Sequence, residues 1–137
     1  MPGRLIFDAQ MDADPAQVGV LRRAARDAVG DSEQAEAVEL VVSELLTNAL
    51  CHAQCPCRLR VWTQKGALRV EVDDLTSGAD DVLLGPPLEA NIGGSGRGLQ
   101  IVNAVADRFG VIDRAPRGKT VWAEIAQSLS VKGHFAF

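Results

Sequence analysis

Two runs of strict alternation do most to limit what this chain can become. Arg58 to Thr63 puts Leu59, Val61 and Thr63 on one side and Arg58, Arg60 and Trp62 on the other. Leu68 to Val72 repeats the pattern, with Leu68, Val70 and Val72 against Arg69 and Glu71. Successive side chains of a strand point to opposite faces, so each run is a strand with one apolar and one polar face. Gln64-Lys65-Gly66-Ala67 between them is a hairpin turn. An antiparallel pair of this kind packs its apolar face on helices and turns the other to water.

The helices to cover it lie upstream. Val38, Val41, Val42, Leu45, Leu46 and Ala49 recur at helical spacing and form an apolar stripe on a helix that runs to about Ala53. Asp31 with Gln34 is its expected capping pair. An earlier helix opens at Asp14-Pro15, with Gln17 as the capping partner, carries Val18, Leu21, Arg22, Ala25 and Val29, and stops at Gly30. Arg22, Arg23 and Arg26 give it a basic, solvated face. Arg4 to Ala9 reads as a short first strand.

Downstream of the hairpin the periodicity lapses. Asp73 to Ser95 is rich in Gly, Pro and Asp and keeps no period, and loops this long in compact domains are usually functional or disordered. Helical spacing resumes from Gly98 to Arg108 through Leu99, Val102, Val105, Ala106 and Phe109. Short strands follow at Phe109 to Ile112 and Thr120 to Ile125, and residues 128–137 read as a tail after a single domain spanning 1–127. Helices and strands are grouped rather than strictly alternating. The expected class is therefore α+β, a two-layer sandwich of a mixed, mainly antiparallel sheet on three helices.

Composition narrows the partners. Among 137 residues the formal net charge is -4, which argues against nucleic acid or an anionic membrane as the main partner. No run is long enough to span a bilayer and no signal-type apolar region opens the chain, so a cytoplasmic setting is expected. The 3 cysteines are an odd number, ill suited to a secreted disulfide framework. Cys51, His52, Cys55 and Cys57 supply zinc-type ligands, but Cys51 and His52 diverge on a helix and the second half of a zinc ribbon is missing; a structural metal is not expected.

Three features have the chemistry of a polar pocket. Glu44 and Asn48 sit one turn apart on the margin of the apolar stripe. By itself this helix reads first as an ordinary amphipathic helix with a polar flank. Asp74 stands where the second hairpin strand leaves for the long loop, and alternation turns it to the same side as Val70 and Val72, unlike its neighbour Asp73. Gly93-Gly94-Ser95-Gly96-Arg97-Gly98-Leu99 is a glycine-rich turn that enters a helix, a design that offers backbone N–H groups to an anion. Its spacing fits neither the dinucleotide fingerprint nor the P-loop.

Taken in order, E-L-L-T-N-A-L-C-H-A, V-E-V-D-D-L-T-S-G, G-S-G-R-G-L-Q-I-V and G-K-T-V-W-A-E-I resemble the ATP-binding (Bergerat-type) domain of the GHKL, or histidine kinase-like, superfamily. Within it they are most similar to the small bacterial anti-sigma-factor serine/threonine kinases and related regulators. The resemblance spans about residues 14–126 and implies ATP and Mg²⁺ as cofactors. It implies that Asn48 is the Mg²⁺ ligand, that Glu44 is the general base of the kinase members, and that Asp74 accepts a hydrogen bond from the adenine amino group. Gly78 and Gly94 belong to the nucleotide boxes, and Gly96, Arg97, Gly98 and Leu99 cradle the phosphates. Thr120 matches a hydroxyl that supports the adenine-binding Asp, and residues 79–95 match the ATP lid. Arg97 and Lys119 are basic residues near these boxes, available to phosphate or to solvent. One position departs from the family: Thr76 replaces the first glycine of Asp-x-Gly-x-Gly, and its β-carbon narrows the approach to the adenine.

The function this implies is a bacterial ATP/Mg-binding regulator, an anti-sigma factor that phosphorylates an antagonist protein on serine or threonine. Its partners would be a sigma factor or an anti-sigma antagonist, and a homodimer through the first strand, with no direct nucleic-acid or membrane contact. The altered second box also suits a non-catalytic, nucleotide-responsive protein-binding regulator, or a remnant that no longer binds ATP.

Overall fold

The computed structural model of the chain describes residues 3–52, 56–74, 101–114 and 118–126, the side chain of His52 excepted. Along the chain run β1 (Arg4–Met11), α1 (Ala16–Val29), α2 (Ala35–His52), β2 (Cys57–Gln64), β3 (Ala67–Asp74), a helical stretch at 101–105, β4 (Arg108–Asp113) and β5 (Lys119–Ala126). The strands make a five-stranded sheet in the order β1-β2-β3-β5-β4. Each described pairing is antiparallel, and the helices pack on one face of the sheet. This is the expected α+β sandwich. Among the described residues no helix is long and apolar enough to cross a membrane.

Alternation in the sequence becomes burial in register. Leu59 lies opposite Val72 and Val61 opposite Val70; Val70 in turn faces Ala123, and Val72 faces Val121. Inward side chains therefore stand in rows across three strands. On those rows α2 lays Val38, Val41, Val42, Leu45, Leu46 and Ala49, none more than 6% exposed. The α1 helix closes over α2 with Ala25 fully buried and Val18, Leu21 and Val29 against the core. The hairpin turns at Lys65-Gly66, and Gly66 has a φ of 77°, a conformation that a β-carbon would strain.

Local signals are met with some changes of partner. Asp14 accepts the Ala16 N–H at 3.0 Å, and Gln17 reaches past it to accept the Asp12 N–H at 2.8 Å. Gln34 is not half of a surface capping pair with Asp31. The Val38 N–H donates to its carbonyl at 2.9 Å, which makes Gln34 the cap of α2, and its buried amide donates to Ala126 O at 3.3 Å. The start of α2 is thus tied to the end of β5. Arg22 and Arg26, expected on a solvated face, both reach Glu39 of α2, at 3.4 and 2.6 Å; pairs this exposed stabilise by ~1 kcal/mol or less.

Helical spacing through Phe109 also misleads. The helix holds at 101–105, and Arg108 already opens β4. Asp107 is the cause: its N–H donates to Glu124 O at 2.8 Å and its carboxylate accepts the Ala126 N–H at 2.6 Å. Those bonds draw the chain onto β5 before a further turn forms.

The outward face of the sheet is ionic. Arg69 lies over the Trp122 ring, 4.4 Å from its centroid, with Arg108 at 5.7 Å. Both arginines bind Glu124, at 2.7 and 2.6 Å. Burial pushes the Glu124 carboxyl up, but hydrogen bonds from Arg108 and Arg69 outweigh it and hold the group below the usual carboxylate range. Further along, Arg60 binds Asp73. The two faces of β3 therefore carry different chemistry, and this separates Asp73 from Asp74.

Candidate functional site

The α2 helix sets the first wall. Leu45, Asn48 and Ala49 lie on one side of it, one turn apart, because residues three and four apart share a helix face. Opposite them stand Val72 and Asp74 from β3 and Lys119 and Val121 from β5, around a cavity of about 10 Å³. That is room for about one water. Asn48 is 6% exposed, and among the described residues its Oδ1 has no hydrogen-bond partner. Leaving such an acceptor unmade costs about 1–3 kcal/mol. An amide oxygen left unsatisfied at the wall of a cavity it shares with Asp74 and Lys119 is placed for a ligand or a hard cation.

Asp74 occupies the position its parity requires. It continues the buried Leu68, Val70, Val72 row and is 5% exposed. Its register partner is Lys119, and Lys119 Nζ sits 3.3 Å from Asp74 Oδ2. Lys119 is itself only 2% exposed. It is therefore not a solvated lysine; it is buried against the carboxylate. Its parity with Val121, Ala123 and Ile125 carried that signal in the sequence. Burying an ion pair costs the solvation of both charges, so the pair defines geometry more than it adds stability.

Thr120 departs from the expected role. It lies opposite Asp73 in register, donates its hydroxyl to Asp73 Oδ1 at 2.6 Å, and accepts from Arg114 Nε at 2.6 Å. The reason is the pleat: neighbours along β5 point to opposite faces, so Thr120 supports Asp73 on the outer face and Lys119 faces Asp74. The hydroxyl read as supporting Asp74 does not reach it.

Glu44 stands one turn before Asn48 and is half-buried. Burial raises its carboxyl above the ordinary value of 4.5, because a low-dielectric setting disfavours the charge. The folded state thus holds this proton more tightly than the unfolded chain does. Stability contributed by Glu44 is full below about pH 4.5 and is lost as pH rises through the higher folded value. Glu44→Gln is expected to flatten that part of the stability–pH curve and leave the protein more stable than wild type at neutral pH. Denaturant melts of both proteins from pH 4 to 8 check it; parallel curves would refute it.

Glu44, Asn48 and Asp74 are thus positioned by α2 and the end of β3. Gly78, Gly94, Gly96, Arg97, Gly98 and Leu99, together with Thr76, the lid at 79–95 and the tail at 128–137, lie outside the described residues. So does Cys55; of its neighbours, Cys51 is exposed on α2 and Cys57 is buried in the core. Among the described residues no three His, Cys, Asp or Glu side chains are grouped to hold a metal ion. A roomier groove runs along α2 past Glu33, Glu36, Leu40 and Ser43, but it is open to solvent and none of the resemblance's site residues lines it.

Comparison with known proteins agrees with this architecture. The family described as Histidine kinase-like ATPase domain matches residues 11–125. The fold is similar to the histidine kinase domain from the Erythrobacter litoralis EL346 blue-light activated histidine kinase, with a TM-score of 0.51 and 24% identity over 87% of this chain and 63% of that one. It is also similar to the longer Erythrobacter litoralis EL346 blue-light activated histidine kinase structure, with a TM-score of 0.53 and 24% identity over 85% of this chain and 42% of that one. The chain spans less than two thirds of either length, and at this identity the likeness concerns the fold. Among curated proteins none matches.

Proposed function

Because the chain belongs to the histidine kinase-like ATPase domain family, we propose that it binds ATP with Mg²⁺ between α2 and the ends of β3 and β5, and serves as a regulatory protein kinase. The substrate would be a serine or threonine of an antagonist protein, and the regulated partner a sigma factor. The observation that carries nucleotide binding is the buried Asn48 Oδ1, without a partner among the described residues, beside Asp74. The donor set fits the group: an amide oxygen suits Mg²⁺, which keeps most of its waters and takes few protein ligands, and a carboxylate suits an exocyclic amino group.

In this reading Asn48 would hold the cation, and Asp74 would face the base. The bound cation would neutralise charge on the phosphates. Glu44, on the same helix edge, accepts the proton of the substrate hydroxyl. Its raised pKa makes it a better proton acceptor once ionised. The edge of β1, at one end of the sheet formed by the described strands, is the surface for a homodimer in this reading, since an edge strand offers backbone groups for pairing.

The test is a γ-phosphoryl transfer assay with the full chain, ATP, Mg²⁺ and candidate antagonist proteins, alongside calorimetry with ATP. Transfer that disappears in Glu44→Ala while ATP still binds supports the kinase. Binding without transfer to any candidate favours the second reading, a nucleotide-responsive protein-binding regulator. That reading draws on the Lys119 ammonium at Asp74, which crowds the base end of the site. No heat of binding at millimolar ATP overturns both.

A further inference from the structure

We infer that Lys119 is a specificity-determining residue of the base pocket, whose ammonium competes with the purine amino group for the Asp74 carboxylate. This rests on the reading that Asp74 faces the base. Lys119 is the cross-strand partner of Asp74, its Nζ lies 3.3 Å from Oδ2, and the two residues are 2% and 5% exposed. They line one cavity together with Asn48, Leu45 and Val72, and about 10 Å³ remains between them. A fused purine ring does not enter a space the size of a water. While Lys119 lies in place, the end of the site that would read the base is filled by a side chain of the protein.

Competition follows from the donor and acceptor inventory. An ionised carboxylate only accepts, and an ammonium and an exocyclic amino group both only donate to it. In the space of about 10 Å³ that is left, a purine that approaches Asp74 must share the carboxylate with the buried ammonium or push it aside. Its amino group then gains little over a hydrogen. A hydroxyl in place of the ammonium frees both space and an acceptor lone pair, and still leaves Asp74 a donor. Lys119 thus lowers affinity for adenine nucleotides and weakens discrimination by the amino group, so that the site responds only at high nucleotide concentration.

The experiment compares ATP with purine riboside triphosphate, which lacks the 6-amino group, by calorimetry in Mg²⁺ on wild type, Lys119→Thr and Asn48→Ala. Wild type is expected to bind the two within about threefold. Lys119→Thr is expected to bind ATP at least about tenfold more tightly than wild type does, with no matching gain for the analogue, the scale of one hydrogen bond to a charged group. The wild-type comparison needs no variant, so it holds even if Lys119→Thr folds poorly. A wild-type preference for ATP of tenfold or more would overturn the inference. So would Lys119→Thr matching wild type while Asn48→Ala loses binding, an outcome that leaves the nucleotide-site reading standing. If no protein binds either nucleotide, both fall.

Discussion

Asn48→Ala is expected to lower Mg²⁺-dependent ATP affinity by about 100-fold, the scale of a lost contact to a charged group, without lowering thermal stability. The two halves of this result have one cause. Asn48 is 6% exposed, and its Oδ1 accepts no hydrogen bond from the described residues. In the protein alone that oxygen is a cost of about 1–3 kcal/mol, so its removal offsets the small cavity that alanine leaves. A ligand or cation that satisfies the oxygen turns the same atom into a binding contact. An asparagine kept for packing behaves in the opposite way, losing stability on truncation with no effect on ligand. Thr47, exposed on the adjacent position, is the control, and Thr47→Ala should change neither property. The check is a pair of thermal melts and ATP titrations. A variant with lowered stability and unchanged affinity would remove Asn48 from the site.

Which parts of this were legible beforehand follows from where the determining forces act. Alternation and helical spacing report local direction, and the core depends on direction. Leu59, Val61, Leu68, Val70 and Val72 are at 2% exposure or less, as are Val38, Val41, Val42, Leu45 and Leu46. Asp74 was placed by the same rule, since parity with Val70 and Val72 decided between it and Asp73. The family assignment needed more than periodicity: four short boxes in order, each weak alone.

Partners chosen across strands were harder to read. Thr120 and Lys119 differ by one residue; parity along β5 sets the face of each, and the register with β3 makes Asp73 the partner of one and Asp74 the partner of the other. Register depends on the closing of β5 on β3, a non-local event. Residue type alone points Lys119 to the surface, since lysine is seldom fully buried without a partner; the register supplies that partner. Gln34 and Asp107 teach the same lesson. Both look like surface polar residues, and both hydrogen-bond Ala126 at the end of the last strand, far away in sequence.

Leu46→Ala is expected to destabilise the protein by about 2–5 kcal/mol, a large share of the ~5–15 kcal/mol that holds a typical domain. Leu46 is fully buried within the cluster that joins α2 to the sheet, and close-packed surroundings do not collapse into the space an isobutyl group leaves. At this chain length the midpoint should fall by roughly 10 °C. Leu46→Met, which keeps the volume, should cost less than about 1.5 kcal/mol. The proposed nucleotide site offers an internal check, because Leu45 lines the cavity beside Asn48 and Asp74 whereas Leu46 does not. Adjacent residues on a helix point about 100° apart, so α2 divides core and site between neighbouring positions. Leu46→Ala measured well below its midpoint should therefore bind ATP as wild type does. Affinity lost along with stability would mean that the two sides of α2 act as one unit, and that the pocket is held in shape by the core rather than by the β3–β5 pairing around Asp74 and Lys119.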